Sequence, residues 1–351
     1  MRVVLPTTIR RLHHPRLFQP SLHGRVSPTD PPAQRSSLEH MEAQAALAAL
    51  IAALPAGSVA AFTDPALSAG EIIDNGPAEP VPVYSVTKMF VAAGVLRALD
   101  AQLLSLEEPL ASRLPGAPAG CSIGEALHHT AGLGDYTASV EYLHAVQHEP
   151  ASPWELEQIV AASTDGTPGS FEYSNTGYWY LGALLEKLSG MKLSQYLHRK
   201  VFAPADMRET RYPDIESSLI HTGYSTLWAG PAGAAYSTPA DLLRFMQFMI
   251  GNQGVWIPPL SECATKEFFA TVPANAPAPW VSPAYGTGVM VDRDLGVWGH
   301  GGSGPLYRSA VFSDFDSGLT AAAICPGHGP YSPEERLLGW FTSYKQSLKK
   351  A

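Results

Sequence analysis

The sequence predicts a mixed α/β (α+β) fold: an antiparallel β-sheet flanked by N- and C-terminal helices and interrupted by an inserted all-helical domain. Three observations carry this. Strand-like runs stand at both ends of the chain, the stretch from Leu103 to about Leu227 reads as helices and loops, and a helical pattern lies at each extremity. The segments divide accordingly into a disordered leader over 1–37, a sheet domain over 38–102 and 230–351, and a helical insertion over 103–229.

The leader is set apart by composition. Arg2, Arg10, Arg11, Arg16, Arg25 and Arg35 stand among several Pro and Ser, with no acid before Asp30. It lacks the apolar core of a secretory signal, and Leu12-His13-His14-Pro15 follows Arg10-Arg11 where a twin-arginine signal turns apolar. The cytoplasm is therefore the expected compartment. Met41 opens the first helical pattern, which suggests that part of the leader is a mis-assigned start.

From Glu42 to Leu54 the apolar positions fit a helix that Pro55-Ala56-Gly57 stops. Strands are expected over Ser58 to Phe62 and Glu71 to Asp74. Pro80 to Tyr84 then leads into Ser85, and Met89, Phe90, Val91, Val95, Leu96 and Leu99 recur at helical spacing, placing Ser85 at a helix N-terminus. Helical patterns follow at Ile123–His129, Trp154–Ala162, Tyr178–Leu188 and Leu193–Val201. In Ser237-Thr238-Pro239-Ala240-Asp241, Thr238 caps, Pro239 takes the first helical position and Asp241 completes a capping box for a helix to Ile250. Strands over Tyr285–Val291, Leu295–His300, Tyr307–Phe312 and Leu319–Cys325 have the spacing of an antiparallel meander, and a helix from Pro333 to Leu348 closes the chain.

Composition narrows the function. The chain has 351 residues, 45% hydrophobic and 16% charged, which suits one folded body. A formal charge of -9 gives no basic footprint for nucleic acid or an anionic membrane. The longest apolar run, Ala45 to Leu54, is too short to span a bilayer. Cys121, Cys263 and Cys325 stand far apart, and an odd count argues against a disulfide framework. The histidines, including His128-His129, show no ligand spacing, so neither metal nor cofactor is expected. The implied ligand is small.

The chemistry centres on Tyr84-Ser85-Val86-Thr87-Lys88. A serine hydroxyl needs a base, and a lysine three residues on shares its helix face and can serve once deprotonated. Neutrality near pH 7 asks for a depression worth about 4 kcal/mol, from burial and nearby groups. The same spacing occurs at Ser189–Lys192 and Ser347–Lys350, so context must decide. Ser189 sits at a Gly-containing break and Ser347 in a charged tail, whereas Ser85 follows an extended apolar run and begins an apolar helix. The bland role for Ser85 is a helix cap.

Gly120-Cys121-Ser122-Ile123-Gly124 imitates a nucleophile elbow. That elbow needs a buried strand before the serine; here a loop precedes it, and Ser122 with Glu125 forms a capping box. Tyr173-Ser174-Asn175 is the single Tyr-x-Asn in a chain with four asparagines. A phenol and a carboxamide there could share the serine proton with Lys88 and hold a substrate amide through Asn175. Trp298-Gly299-His300-Gly301-Gly302-Ser303 ends a strand in small residues, so a substrate can lie along its edge, and the N–H groups of Ser303 and Ser85 could form an oxyanion hole. His221-Thr222-Gly223 copies the His-x-Gly pattern without a strand before it.

Taken together, these residues resemble the serine β-lactamase and DD-peptidase superfamily, in its class C-like branch, which also contains esterases, D-aminopeptidases and transacylases. Leu104 to Leu110, His129-Thr130-Ala131-Gly132-Leu133, Tyr173 to Gly177, Val201 to Pro204, Tyr236-Ser237-Thr238 and His300-Gly301-Gly302 carry the similarity across about residues 42–345. The resemblance implies a β-lactamase/transpeptidase-like fold in which Ser85 is acylated, Lys88 and Tyr173 manage the proton, and Asn175 orients substrate. His300-Gly301-Gly302 replaces the branch's Lys-Thr-Gly, exchanging a fixed cation for a group mostly neutral at pH 7. Leu306 stands where the branch usually has Gly. The expected activity is an esterase or amidase on a small ester, amide or short peptide; the alternatives are a DD-carboxypeptidase, penicillin-binding protein or β-lactamase, and a catalytically silent binding protein.

Overall fold

The computed structural model describes residues 32–65, 71–76, 79–149, 152–214, 225–250, 264, 267–268, 270–276, 279–329 and 331–350. Residues 1–31, Cys263 and His221-Thr222-Gly223 lie outside the described residues.

The first helix, α1 (Pro32–Ala52), starts ten residues before the periodicity that announces it. Residues 32–37, assigned above to the leader, are its first turns, and Pro32 fits there because the first helical position needs no N–H. Ala43, Ala46, Leu47 and Leu50 form its buried stripe. Strands β1 (Val59–Thr63), β2 (Ile73–Asp74) and β3 (Val81–Pro82) follow, then a 3-10 turn at Tyr84–Val86 and helix α2 (Thr87–Asp100).

Residues 103–229 carry α3 (Leu110–Arg113), α4 (Ile123–Leu127), β4 (Ala131–Leu133), α5 (Val140–His148), α6 (Leu156–Ala162), β5 (Asp165–Pro168), α7 (Asn175–Ser189) and α8 (Leu193–Leu197). The insertion is therefore not all helical. β4 and β5 form an antiparallel ladder, closed by Gly169 N on Thr130 O at 2.8 Å and Glu172 N on His129 O at 2.9 Å. Strands of three and four residues without alternating burial leave no period-two signal to read.

The chain then forms β6 (Tyr236–Ser237), α9 (Pro239–Ile250), β7 (Val272–Pro273), β8 (Pro283–Tyr285), β9 (Met290–Asp292), β10 (Val297–Ser303), β11 (Tyr307–Asp314), β12 (Thr320–Pro326) and α10 (Pro333–Lys350). The main sheet has the order β2-β1-β12-β11-β10-β9-β8-β7, every neighbour antiparallel. β1 closes on β12 with Phe62 opposite Ala321, so strands from the two ends of the chain lie side by side, with only β2 beyond them at that edge. The run Tyr285–Val291 is not one strand. Gly288 turns it with φ +74, and a Cβ there would stand 2.5 Å from Ala92 Cβ, which seats this hairpin against α2.

The two faces bury different clusters. On one, α1 and α10 cover Phe62, Val297, Ala310 and Phe312, with Trp340 Nε1 donating to Ala46 O at 3.2 Å. On the other, α2 and α9 cover Ala61, Trp298, Val311 and Ala322 in a core continuous with α7 and α8. At the start of α9, Thr238 Oγ1 caps Asp241 N at 3.2 Å as expected. Asp241 does not turn back to complete the box: its carboxylate accepts from Glu209 N (2.8 Å), Thr210 Oγ1 (2.8 Å) and Arg244 (2.6 Å), tying the preceding loop to the helix. Among the described residues no helix is long and apolar enough to cross a membrane, and no group of three or more His, Cys, Asp or Glu is placed to hold a metal ion.

Candidate active site

Ser85 sits one 3-10 turn ahead of α2 rather than on its cap. Val86 is the capping position and carries no side-chain cap, so the Ser85 hydroxyl is not spent on the helix. Tyr84 holds φ at 45°, a region that non-glycine residues enter at a cost of about 1–3 kcal/mol and that clusters at functional sites. The surroundings enforce it. Val83 N donates to Ala235 O (3.0 Å), Ser309 Oγ to Val83 O (2.7 Å) and Leu306 N to Tyr84 Oη (3.2 Å). Leu306, where the resembling branch has Gly, thus supplies an amide that pins the loop.

Lys88 is fully buried at 0% exposure, and burial draws its ammonium down from 10.5 to about 7, with Asp135 pulling the other way. Its Nζ lies 2.6 Å from Asn175 Oδ1, 2.9 Å from Ala232 O and 3.3 Å from Ser85 Oγ. Asn175 Oδ1 and Ala232 O can only accept, whereas the Ser85 hydroxyl can accept or donate. A neutral amine has two N–H groups and one lone pair; the two shorter contacts use the hydrogens, and the lone pair is left for the Ser85 hydroxyl.

Tyr173 brings its phenol into hydrogen-bonding contact with Ser85 while 36% of the residue stays open. Desolvation pushes that phenol above the ordinary tyrosine range and the Ser85 contact acts against it; the open edge tempers the push. The Tyr173 and Tyr178 rings lie 4.9 and 5.4 Å from Lys88 Nζ. Asn175 begins α7 and is held at both ends, since its Nδ2 donates to Asp135 Oδ2 (3.0 Å) and Oδ1 (3.2 Å). The amide expected to hold substrate is engaged with Asp135 and Lys88.

The glycine-rich strand end lies beside the serine. A Cβ at Gly302 would stand 2.1 Å from Val83 O and 3.1 Å from Ser85 N, so β10 passes the nucleophile at backbone distance. At Gly301 a Cβ would fall 1.5 Å from Glu334 Oε1, on the opposite face, where that carboxylate sits against the strand. β9 pairs with β10 only through Val297–Gly299, so His300–Ser303 keep an open edge on that side among the described residues. Ser303 is exposed and shares with Ser85 a cavity of about 240 Å³, which Tyr136, Tyr142, Val146 and Trp228 also line.

His300 does not present its ring to the cleft. It is 2% exposed, its Nδ1–H donates to Gly301 O at 2.5 Å, and its Nε2 accepts from Tyr285 Oη at 3.0 Å. Burial, then the Lys88 charge, lower it to about 3 against the Gly301 carbonyl, so the ring is neutral. It braces the strand from within.

The family description Beta-lactamase matches residues 39–339. The chain belongs to the β-lactamase family of serine hydrolases. Penicillin-binding protein 4* of Bacillus subtilis (strain 168) is 34% identical over 182 residues, 48% of this chain and 40% of that protein. The chain thus matches less than half the length of that curated relative. Among solved structures, a D-stereospecific amidohydrolase from Streptomyces sp. superposes with TM-score 0.70 at 24% identity, covering 86% of this chain and 98% of the other. D-amino acid amidase from Ochrobactrum anthropi SV3, complexed with D-phenylalanine, gives 0.72 at 22% identity, covering 88% and 99%. At these identities the structures show that the family's fold is shared.

The serines that copy the motif are occupied elsewhere. Ser122 Oγ accepts from Glu125 N (3.1 Å) and Ser122 N donates to Glu125 Oε2 (2.8 Å), a complete capping box. Ser122→Ala is expected to lower unfolding free energy by about 1 kcal/mol in urea titration and to leave turnover unchanged. Ser189 Oγ donates to Leu185 O at 2.7 Å at the end of α7, and Ser347 lies on α10, the helix that covers the other face of the sheet. Cys121 and Cys325 are buried free thiols.

Four site groups escaped the sequence. Asp135, Tyr285 and the Ala232 carbonyl carry no spacing relation to Ser85, and His129, though it opens a run that carries the resemblance, was given no role in the site. His129 Nδ1 accepts from Ser174 N at 3.0 Å, fixing the Tyr173–Asn175 loop, and its ring centroid lies 4.4 Å from Tyr173 and 4.6 Å from Tyr285. Its Nε2 has no hydrogen-bond partner among the described residues, and desolvation lowers the ring well below its usual value, so it is neutral.

Proposed function

We propose that this protein is a serine acyl hydrolase that cleaves a small, uncharged ester or amide through an acyl-enzyme on Ser85. The observation that carries this reading is the Lys88 geometry: a buried amine near pH 7 whose hydrogens are claimed by Asn175 and Ala232 and whose lone pair faces Ser85 Oγ. Lys88 takes the serine proton as Oγ attacks the carbonyl carbon. Tyr173, kept protonated by its upward shift, passes a proton to the leaving group and recovers one from the Lys88 ammonium. The negative oxygen forms beside Gly302, where the N–H groups of Ser85 and Ser303 receive it. Water then repeats the sequence on the acyl-enzyme.

The cavity supports a neutral substrate. Tyr136, Tyr142, Trp228 and Val146 offer aromatic and apolar surface, and neither Lys nor Arg lines it among the described residues. The solved relatives named as amidases support the amide arm of the reading. The name of the B. subtilis relative favours a penicillin-binding role instead. Such a substrate carries a carboxylate, and a neutral, enclosed His300 gives it no countercharge.

Intact-mass spectrometry after exposure to a fluorophosphonate is the test. The parent is expected to gain one adduct and Ser85→Ala none. Equal labelling of Ser85→Ala overturns the assignment, and no adduct on the parent points to a silent binding protein. An adduct with labelled penicillin together with D-alanyl peptide cleavage establishes the DD-peptidase reading in its place.

A further inference from the structure

We propose that Asp135 is a positioning residue of this site: it fixes the orientation of the Asn175 amide so that oxygen, and not nitrogen, meets Lys88. The inference rests on the acyl-enzyme reading above and concerns what aims its base.

An asparagine amide can occupy its place in two orientations that differ by exchange of O and N. With Nδ2 toward Asp135 and Oδ1 toward Lys88, every contact pairs a donor with an acceptor. The exchanged orientation sets an NH2 against the amine 2.6 Å away and a carbonyl oxygen against a carboxylate 3.0 Å away. The second contact is then repulsive, and the first either opposes the hydrogens of an ammonium or consumes the lone pair that a neutral amine needs for Ser85. A carboxylate accepts only, so Asp135 leaves a single solution. That solution draws one Lys88 hydrogen to Asn175 and, with Ala232 O taking the other, points the lone pair at Ser85.

The loop is built to hold Asp135 still. Its Oδ1 accepts from Thr137 N at 3.1 Å, capping the 3-10 turn Tyr136–Ala138. On one side, Gly134 N donates to Thr164 O (2.9 Å) and Gly134 O accepts from Ser174 Oγ (3.0 Å). On the other, Tyr136 Oη donates to Trp228 O and accepts from Trp179 Nε1, both at 3.2 Å. A Cβ at Gly134 would lie 2.0 Å from Thr164 O, so the loop cannot be this close to β5 with any side chain there.

Asp135 also acts on Lys88 through its charge. Around Nζ stand the neutral Ser85, Asn175, Tyr173 and Tyr178, and the rings of His129 and His300, which are neutral in this pH range. Against them, Asp135 is the anion that favours the ammonium. An amide at position 135 removes this charge but, with its oxygen held by Thr137 N in the place of Oδ1, keeps an acceptor for Asn175, whereas alanine removes both. The two roles therefore separate experimentally.

The experiment is p-nitrophenyl ester hydrolysis by the parent, Asp135→Asn and Asp135→Ala over about pH 5 to 10, with melting temperatures recorded alongside. Asp135→Ala is expected to lose roughly 10- to 100-fold in kcat with KM little changed, because a freed amide misplaces the base. Asp135→Asn is expected to recover most of that loss and to move the acidic limb to lower pH than in the parent. An Asp135→Ala enzyme within twofold of the parent with an unmoved limb overturns the proposal, as does a rise in KM alone in both variants. If Asp135→Ala does not fold, the limb of Asp135→Asn decides. Failure of the underlying reading looks different: the parent then takes no adduct at Ser85.

Discussion

Lys88→Arg is expected to lower kcat/KM on an activated ester by roughly 10⁴-fold or more, the scale of losing the base in a serine hydrolase. A guanidinium is charged at every usable pH and has no lone pair to offer, so the change keeps a long basic side chain and removes the chemistry. It also puts a permanent charge where the native amine is 0% exposed, which threatens folding. Lys88→Met therefore accompanies it, being apolar and of similar length; a folded, inactive methionine variant assigns the loss to the base. The parent's pH profile checks the same assignment from another side. Burial holds the Lys88 ammonium near 7 instead of 10.5. Below that value the proton occupies the lone pair, so kcat/KM should fall tenfold per pH unit; above it the rate should level off. A limb that rises only near pH 10, where an unburied lysine titrates, overturns the lowered ammonium at Lys88.

Local relations were legible in the sequence and distant ones were not. Ser85 with Lys88 and Ser122 with Glu125 lie one helical turn apart, and local context, an extended apolar run before Ser85 and a loop before Ser122, told the reacting pair from the cap. The strand ending in His300-Gly301-Gly302 was legible because small residues where a strand should pack have few explanations. What spacing could not supply was which groups come to meet Lys88. Ala232 contributes a carbonyl, which every residue has, from 144 positions away, and Asn175 comes from 87 away. Asp135 had a local signature, the cap on Thr137, which is also all that an ordinary turn aspartate shows. His300 was read for its chemistry and is used for its shape: Tyr285 and its own neighbour's carbonyl take both nitrogens. Strand limits near the site shifted for the same reason, since β10 runs on to Ser303 only because Arg308–Phe312 of β11 pair with it.

Gly302→Ala should cost 10²- to 10³-fold in kcat, the usual effect of removing one oxyanion donor, though it touches no proposed catalytic side chain. The added carbon would lie 2.1 Å from Val83 O and 2.6 Å from Ser309 Oγ, and Ser309 Oγ itself binds that carbonyl at 2.7 Å. Backbone cannot yield here without moving Ser85, whose N is 3.1 Å from the same point. β10 must therefore retreat and carry the Ser303 N–H away from the developing charge. Gly301→Ala is the matched control one residue earlier. Its methyl would meet Glu334 Oε1 at 1.5 Å, but that is the end of a side chain at the start of α10, which can swing aside. Both variants should lose about 1–3 kcal/mol of stability in urea titration, as overpacked sites do. Only Gly302→Ala should slow fluorophosphonate labelling in step with turnover. Equal kinetic losses in the two would mean that strand position in general, and not the backbone distance from Gly302 to Ser85, governs acylation.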